Sequence, residues 1–363
     1  MQLKSGSLNV QEGAARAVGE LGWNSSVKDA IIAAGALPIL AECLMSDQPG
    51  LQMNAAKAIS NLACAWGLSR REFEDEIVAA GVMPALLWVL KSEQPGVHGK
   101  AIELLLYLAY SGVGDAIIAA DAQSVLVHQL RSGQPEVQRR AAMALRTLAI
   151  NSRIPQQAKD AVAAASAVPE LMALMKSGQS DLQEKAAEAL STLMDEYWSS
   201  WTQHMTEVVK QVGALPTAVA LLKSDRPDVQ VAAAKLLGFM ARSQQDKEAL
   251  IAAGGLTSLV LQLHSENPVL QRQVASTLRR LTDYSQQSID AIVTSDAVVA
   301  SGALPWLVGL LKSTDGGVKH EAPWILVTFV RSSQANKDAV HEAMVAQHID
   351  LELISCIDSG SIP

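Results

Sequence analysis

The sequence predicts an all-α solenoid, and three observations carry that prediction. One line recurs along the chain: "IIAAGALPIL" at Ile31, "IVAAGVMPALLWVLKS" at Ile77, "QVGALPTAVALLKS" at Gln211, "IAAGGLTSLVLQLHS" at Ile251 and "VASGALPWLVGLLKS" at Val299. The apolar residue of a "V/L-Q" pair, or its counterpart, marks each unit, at Val10, Leu51, Val97, Val137, Leu182, Val229, Leu270 and Val318. The spacing runs from 40 to 48 residues, longer than tetratricopeptide or ankyrin units and suited to a few helical solenoids. Hydrophobic residues make up 49% of the chain but aromatics only 4%, so Ala, Leu and Val carry the core. Such residues favour helices that pack closely.

Each unit reads as three helices. The first is short and ends at "AAG". Its glycine (Gly35, Gly81, Gly213, Gly254, Gly302) suits the left-handed position after a helix end. Three residues on, with two residues between, a proline starts the second helix, where its missing N–H costs nothing (Pro38, Pro84, Pro169, Pro216, Pro305). The second helix is strongly apolar and stops near "LKS". A Ser-x-x-Pro turn follows, as in "SDQPG" and "SDRPD", and is expected to cap the third helix. In the first unit Val10, Ala14, Val18 and Leu21 share one face of that helix. Pro323, inside the last third helix, is expected to kink or delay it.

"VQRRAAMALRTLA" and "LQMNAAKAISNLA", with "AAGALPILAECL", resemble the armadillo (ARM) repeat family over nearly the whole chain. HEAT repeats are the structural alternative. The resemblance implies an all-α, right-handed α-solenoid of about eight armadillo repeats, in a single domain over residues 1–363. Third helices start near 10, 51, 97, 137, 182, 229, 270 and 318. The sequence opens at "LKS", the tail of a second helix, and stops at "DLELISCIDSGSIP", inside another. Solenoids need polar ends. Ends of this kind predict either atypical capping or a longer parent protein with another domain, and they favour end-to-end self-association.

Several function classes are disfavoured. Net charge is −8, the pI is about 5.4, and no basic run reaches five residues, so a nucleic-acid partner is not expected. No uncharged apolar run approaches the roughly 18 residues that would span a bilayer. Residue 2 is Gln, which excludes N-myristoylation on this start and argues against a lipid-tethered adaptor like the vacuolar armadillo proteins. Three scattered cysteines (Cys43, Cys64, Cys356) and no signal-peptide core point to reduced thiols in the cytoplasm or nucleus. Cys43 and Cys64 read as packing residues. "HEAMVAQH" lacks the second His that a zinc helix needs at Val345, so His341 and His348 read as solvated. "REFEDEI" (Arg71 to Ile77) reads as a solvated helix entry, with an acidic docking patch as the sharper alternative. No catalytic set, metal site or cofactor motif is present, so the expectation is a non-enzyme without a cofactor.

Function should then lie on the surface that stacking creates. By resemblance, third helices line a concave groove, read as two columns at positions seven and eleven, counting the indexed residue as one. The first column is Arg16, Lys57, Glu103, Met143, Glu188, Lys235, Ser276 and Trp324; the second is Glu20, Asn61, Tyr107, Thr147, Thr192, Phe239, Arg280 and Thr328. Nuclear import adaptors of this family repeat Trp in the first column and Asn in the second. This chain has one of each, Trp324 and Asn61, in different units, and its columns mix four cations with three anions. An import adaptor is therefore a poor fit. Tyr107, Met143, Phe239 and Trp324 offer apolar anchors. Arg139, Arg140 and Arg146, then Arg272, Arg279 and Arg280, form two basic clusters; Lys235 adds a cation. Arg and aromatics tend to dominate binding energy. Tyr197, Trp198 and Trp201, in "MDEYWSSWTQHMTEVV", either tuck onto a neighbouring helix or form a second partner-binding element.

The reading is a non-enzymatic scaffold or adaptor that binds an extended segment or helix of a partner protein along the groove. The alternative is the substrate-recognition part of a ubiquitin ligase, since plant U-box ligases carry armadillo repeats after a U-box; no U-box lies in these residues.

Overall fold

The computed structural model describes residues 2–4, 7–64, 70–92, 95–151, 155–164, 166–193, 213–282, 303–313, 315–332 and 334–349. Among them every regular element is helical. They fall into two compact units, Met1–Leu193 and Met194–Pro363.

In the first unit a 3₁₀ turn, Gln2–Lys4, precedes α1 (Leu8–Leu21). Then come α2 (Ser25–Ala33), α3 (Ala36–Leu44), α4 (Pro49–Cys64), α5 (Arg70–Ala79), α6 (Val82–Lys91) and α7 (Pro95–Tyr110). The unit continues with α8 (Gly114–Ala119), α9 (Ala122–Gln129), α10 (Pro135–Asn151), α11 (Pro155–Ala164), α12 (Ala167–Met175) and α13 (Ser180–Leu193). The third helices α1, α4, α7, α10 and α13 pack each against the next, forming a row. In the second unit the described helices are α14 (Ala214–Leu221), α15 (Pro227–Met240), α16 (Gln244–Ala252), α17 (Gly255–Gln262) and α18 (Pro268–Thr282). They are followed by α19 (Ala303–Gly309), α20 (Gly316–Ser332) and α21 (Gln334–Ala346). Here α15, α18 and α20 form the row.

The junction of first and second helix follows the glycine logic. Gly35, Gly81, Gly213 and Gly254 have φ of 73°, 70°, 68° and 74°. Two units lack the glycine and still make the turn, with Asp121 (φ 56°) and Ser166 (φ 64°). The second helix begins right after this residue, at Ala36 or Val82, so Pro38 and Pro84 sit inside its first turn instead of opening it. The outcome for proline is the same, because the first four N–H groups of a helix have no partner within it.

The Ser-x-x-Pro serines do a different job from capping. Ser46 Oγ accepts from Gln48 N at 3.2 Å, Ser132 Oγ from Gln134 N at 3.2 Å and Ser265 Oγ from Asn267 N at 3.2 Å. This two-residue reach closes a serine turn that delivers the chain to the third helix. The glutamine of the "V/L-Q" pair locks the same loop. Gln138 Nε2 donates to Leu130 O at 2.9 Å, Gln230 to Ser224 O at 2.8 Å and Gln271 to Ser265 O at 2.8 Å. His98 takes the place in the third unit, its Nε2 2.8 Å from Ser92 O. The apolar partner of the pair is core: Leu51, Val97, Val137, Leu182, Val229 and Leu270 are all buried. Val10 is 40% exposed, and Leu21 on the same face is exposed too.

Leucines fill the layers between helices. Leu37, Leu40 and Leu44 of α3, Leu62 of α4 and Leu86 of α6 are fully buried, each worth about 1.5–3 kcal/mol of transfer free energy. Cys43 is buried among them, and burial pushes its thiol pKa up. Pro323 does not delay its helix: α20 begins at Gly316 and runs to Ser332 with the proline inside. "REFEDEI" is more than a solvated entry. Phe73 and Glu74 are buried, and Glu74 Oε1 accepts from Ala116 N at 3.2 Å, in the first turn of α8 one repeat on. The insertion "SDAVVAS" and Gly302 lie outside the described residues.

Candidate functional site: the face of the third helices

Position seven is accessible in every repeat. Arg16, Lys57 and Trp324 are exposed, and Glu103, Met143, Glu188, Lys235 and Ser276 are partly exposed. The first column therefore lies on an open face. Position eleven behaves differently. Among the members whose burial is described, Asn61, Thr147, Thr192 and Phe239 are buried, Tyr107 and Arg280 are half-buried, and only Glu20 is exposed. Four residues apart on a helix is close to one face but not the same direction, and the neighbouring third helix covers the second of the two.

The buried members tie the row together. Asn61 Nδ2 donates to Gly19 O at 2.8 Å, from α4 to α1. Arg280 donates to Gly238 O at 3.3 Å, from α18 to α15, and Thr277 Oγ1 to Ala234 O at 2.9 Å. Phe239 is 4% exposed, with the Arg242 guanidinium over its ring at 4.7 Å. These side chains serve packing between repeats, and Asn61 and Phe239 offer little surface to a partner.

The two arginine clusters are ion-paired. Arg139 forks onto Glu136 at 2.9 and 2.6 Å, and a further nitrogen lies 3.3 Å from Met143 Sδ. Arg140 bonds Glu136 at 2.6 Å, Gly99 O at 2.9 Å and also Glu103 of the preceding repeat. Arg146 lies 3.8 Å from Glu188 of the following one. Arg272 pairs with Asp315, and Arg279 with Glu321 at 2.5 Å. The hydrogen bond from Arg139, with Arg140 adding to it, holds the Glu136 carboxyl down at about 2. The face at positions three, four, seven and ten thus carries a ladder of ion pairs that stitches neighbouring repeats. Its apolar members are Met143 and Trp324.

One more step of seven along the same helical face reaches position fourteen, about two turns on. There stand Trp23, Tyr110 and Ile150, which are 60%, 48% and 47% exposed, with Cys64 partly exposed between the first two. The two-column template ends short of this row; extending the same index by a heptad finds it. In the second unit the position holds Arg242, whose Nε donates to Phe239 O at 3.3 Å. Burial and the nearby Arg280 lower the Arg242 pKa.

Tyr197, Trp198 and Trp201 lie outside the described residues. His341 and His348 sit on or just after α21, and among the described residues no cluster of His, Cys, Asp or Glu could hold a metal ion. No helix among the described residues is long and apolar enough to cross a membrane.

The armadillo/beta-catenin-like repeat model matches residues 24–64, 155–195 and 243–283. The first span runs from the start of α2 to the end of α4, and the others open at the corresponding first helices α11 and α16. No curated protein sequence matches the chain. Among solved structures, an engineered protein of the Northeast Structural Genomics Consortium is 28% identical, over 99% of this chain and 86% of that one, with a TM-score of 0.80. A second engineered protein from the same consortium is 25% identical over 82% of this chain and 98% of that one, with a TM-score of 0.53. A designed armadillo repeat protein is 22% identical over 66% of this chain and 97% of its own, with a TM-score of 0.56, a likeness of fold. Armadillo repeats generally mediate protein–protein interaction, and the fold is typically a non-enzymatic binding scaffold. With three armadillo-repeat matches, a recurring three-helix unit and armadillo-like solved neighbours, the chain carries armadillo repeats within an α-solenoid of helical repeats.

Proposed function

We propose that this chain is a non-enzymatic scaffold that binds an extended segment or helix of a partner protein along its third-helix face. The observation that carries the reading is that position seven is accessible in each of the eight repeats, in both units. Within each unit, a periodic open row on stacked helices is suited to a partner that runs along it. Met143 and Trp324, with half-buried Tyr107, supply anchors. Lys235 and the ion-paired arginines supply exchangeable polar contacts. An import-adaptor role draws no support from Asn61, whose amide is spent on Gly19.

The test is affinity capture from a native lysate. The full chain is compared with a variant carrying Tyr107→Ala, Met143→Asp and Trp324→Ala, after both are shown to melt alike. Partners lost from the variant support the face. Partners retained by both overturn it and turn attention to Tyr197, Trp198 and Trp201.

A further inference from the structure

Stacked repeats supply their own control, because equivalent positions can be compared from one junction to the next. Position eleven reaches back to the end of the preceding third helix, as Asn61 does to Gly19 and Arg280 to Gly238. Position fourteen of that preceding helix completes the junction. In the first unit the pairs are Trp23 with Asn61, Cys64 with Tyr107, Tyr110 with Thr147 and Ile150 with Thr192. None of these side chains is charged near neutral pH. Where α18 packs on α15, the pair is Arg242 with Arg280.

Capping of the helix end does not account for the two arginines. Arg242 Nε donates to Phe239 O and Arg280 to Gly238 O, each at 3.3 Å, so two guanidiniums are held at adjacent carbonyls of one helix. A helix C-terminus offers a negative partial charge of about half a unit, against two full positive charges. The equivalent ends in the first unit form without such a pair. A guanidinium also has five N–H donors. Arg280 uses one of them on Gly238 O, and no carboxylate pairs with it among the described residues.

The surroundings keep the site cationic. Arg279 is held by Glu321 and Arg272 by Asp315, so those acids are engaged elsewhere. Asp246 closes the capping box of α16 with Ser243. Lys235, seven residues before Arg242 on α15, adds a third cation to the same helical face. The Arg242 guanidinium lies over the Phe239 ring at 4.7 Å, which sets its plane. Burial and then Arg280 lower the Arg242 pKa, so the two charges are mutually unfavourable and an anion between them would relieve both.

We infer that Arg242 and Arg280 form a binding site for a phosphoryl dianion at the C-terminal end of α15. A phosphoryl group carries a charge of about −1.5 to −2 near neutral pH, which matches the pair. Its oxygens suit the planar guanidinium fork, which can donate two parallel hydrogen bonds. The group belongs to a phosphorylated side chain of a partner polypeptide or to a small phosphate compound; the recognition chemistry is the same. The inference does not rest on the reading that the third-helix face binds polypeptide, since free phosphate tests it.

The first experiment is calorimetric titration of inorganic phosphate into the full chain at fixed ionic strength. Binding should be saturable, and Arg242→Gln or Arg280→Gln should each weaken it at least about tenfold. Arg280→Lys, which keeps the charge without the fork, should lie between. Lys223→Gln removes an exposed cation at the end of the neighbouring second helix and should leave the affinity unchanged. Phosphate that does not bind, or that binds the arginine variants as well as the parent chain, overturns the inference. A loss in Lys223→Gln equal to that in Arg280→Gln assigns the effect to general positive charge and overturns it too. This comparison holds even if an arginine variant melts lower, because Arg280→Lys reads the fork at constant charge. Labelled peptides carrying phosphoserine, serine or glutamate at one position, followed by fluorescence anisotropy, then give the source. Phosphoserine peptide binding at least about tenfold more tightly than free phosphate places the group on a polypeptide. Equal affinities assign a small phosphate compound. Glutamate peptide binding as tightly as phosphoserine peptide rejects the phosphoryl assignment.

Discussion

The side-chain amide of Asn61 donates to the carbonyl oxygen of Gly19, 2.8 Å away on the neighbouring third helix. The two helices meet so closely that a Cβ on Gly19 would lie 3.2 Å from Ala58 Cα. Asn61 is thus a tie between repeats. Asn61→Ala should cost about 1–3 kcal/mol, the usual loss for a buried hydrogen bond, and lower the midpoint of urea unfolding. An unchanged midpoint would contradict this role.

Gln52 and Gln271 occupy equivalent places and have opposite fates. Gln271 donates to Ser265 O at 2.8 Å and lies 3.3 Å from Leu263 O. Gln52 is fully buried, and neither amide atom has a hydrogen-bond partner among the described residues. Replacing an unsatisfied buried amide by an apolar group of similar shape removes a penalty. Gln52→Met should therefore raise the unfolding midpoint by about 1 kcal/mol in stability, and Gln271→Met should lower it by a similar amount.

Ser166 holds a left-handed turn that glycine holds elsewhere, at φ 64° against 70° for Gly81. Ser166→Gly should stabilise by about 0.5 kcal/mol, the relief of strain less the entropy that glycine loses on folding. Gly81→Ala should destabilise by about 1 kcal/mol. No neighbour lies within 4 Å of an added Cβ at Gly81, so the loss would report backbone conformation alone. Thermal unfolding of the two variants checks both signs.

Glu136 gives the pH dependence. Its folded pKa is about 2, held below the ordinary 4.5 chiefly by the hydrogen bond from Arg139, so its contribution is present above about 4.5 and is lost as pH falls toward 2. The carboxylate is half exposed, so the effect should be small and should fade with salt. In Glu136→Gln the melting deficit should be visible near about pH 6 and should vanish near about pH 2. A deficit that does not change with pH would assign it to shape instead of charge.

Much of the architecture was legible because it is local. The glycine after four of the first helices, the buried indexed residues and the helix order depend on turn chemistry and on a 3.6-residue period, which short stretches of chain display. Asp121 and Ser166 escaped because the repeat is recognised by its glycine, although Asp does tolerate a positive φ better than most residues. The serine turn was misread as a cap because a hydroxyl satisfies either geometry, and only the distance to the second residue on decides.

The candidate site was legible in part. The columns that the armadillo resemblance implies include the accessible first one, and the same index continued by seven would have found Trp23, Tyr110 and Ile150. The same resemblance put Asn61 and Phe239 in the open, because a position along the helix says which residues share a face, not how near the next helix comes. The arginines looked available because Glu103, Glu188, Asp315 and Glu321 lie about a repeat away in sequence, brought into reach only when the helices stack.

By itself, the sequence determined that this protein repeats a three-helix unit whose apolar faces need neighbours, since composition and period act residue by residue. Tertiary structure decided which polar side chains bind the repeats to one another and which stay in contact with water. That choice rests on distances between third helices, and a difference of an ångström or two there turns an exposed column into a buried one.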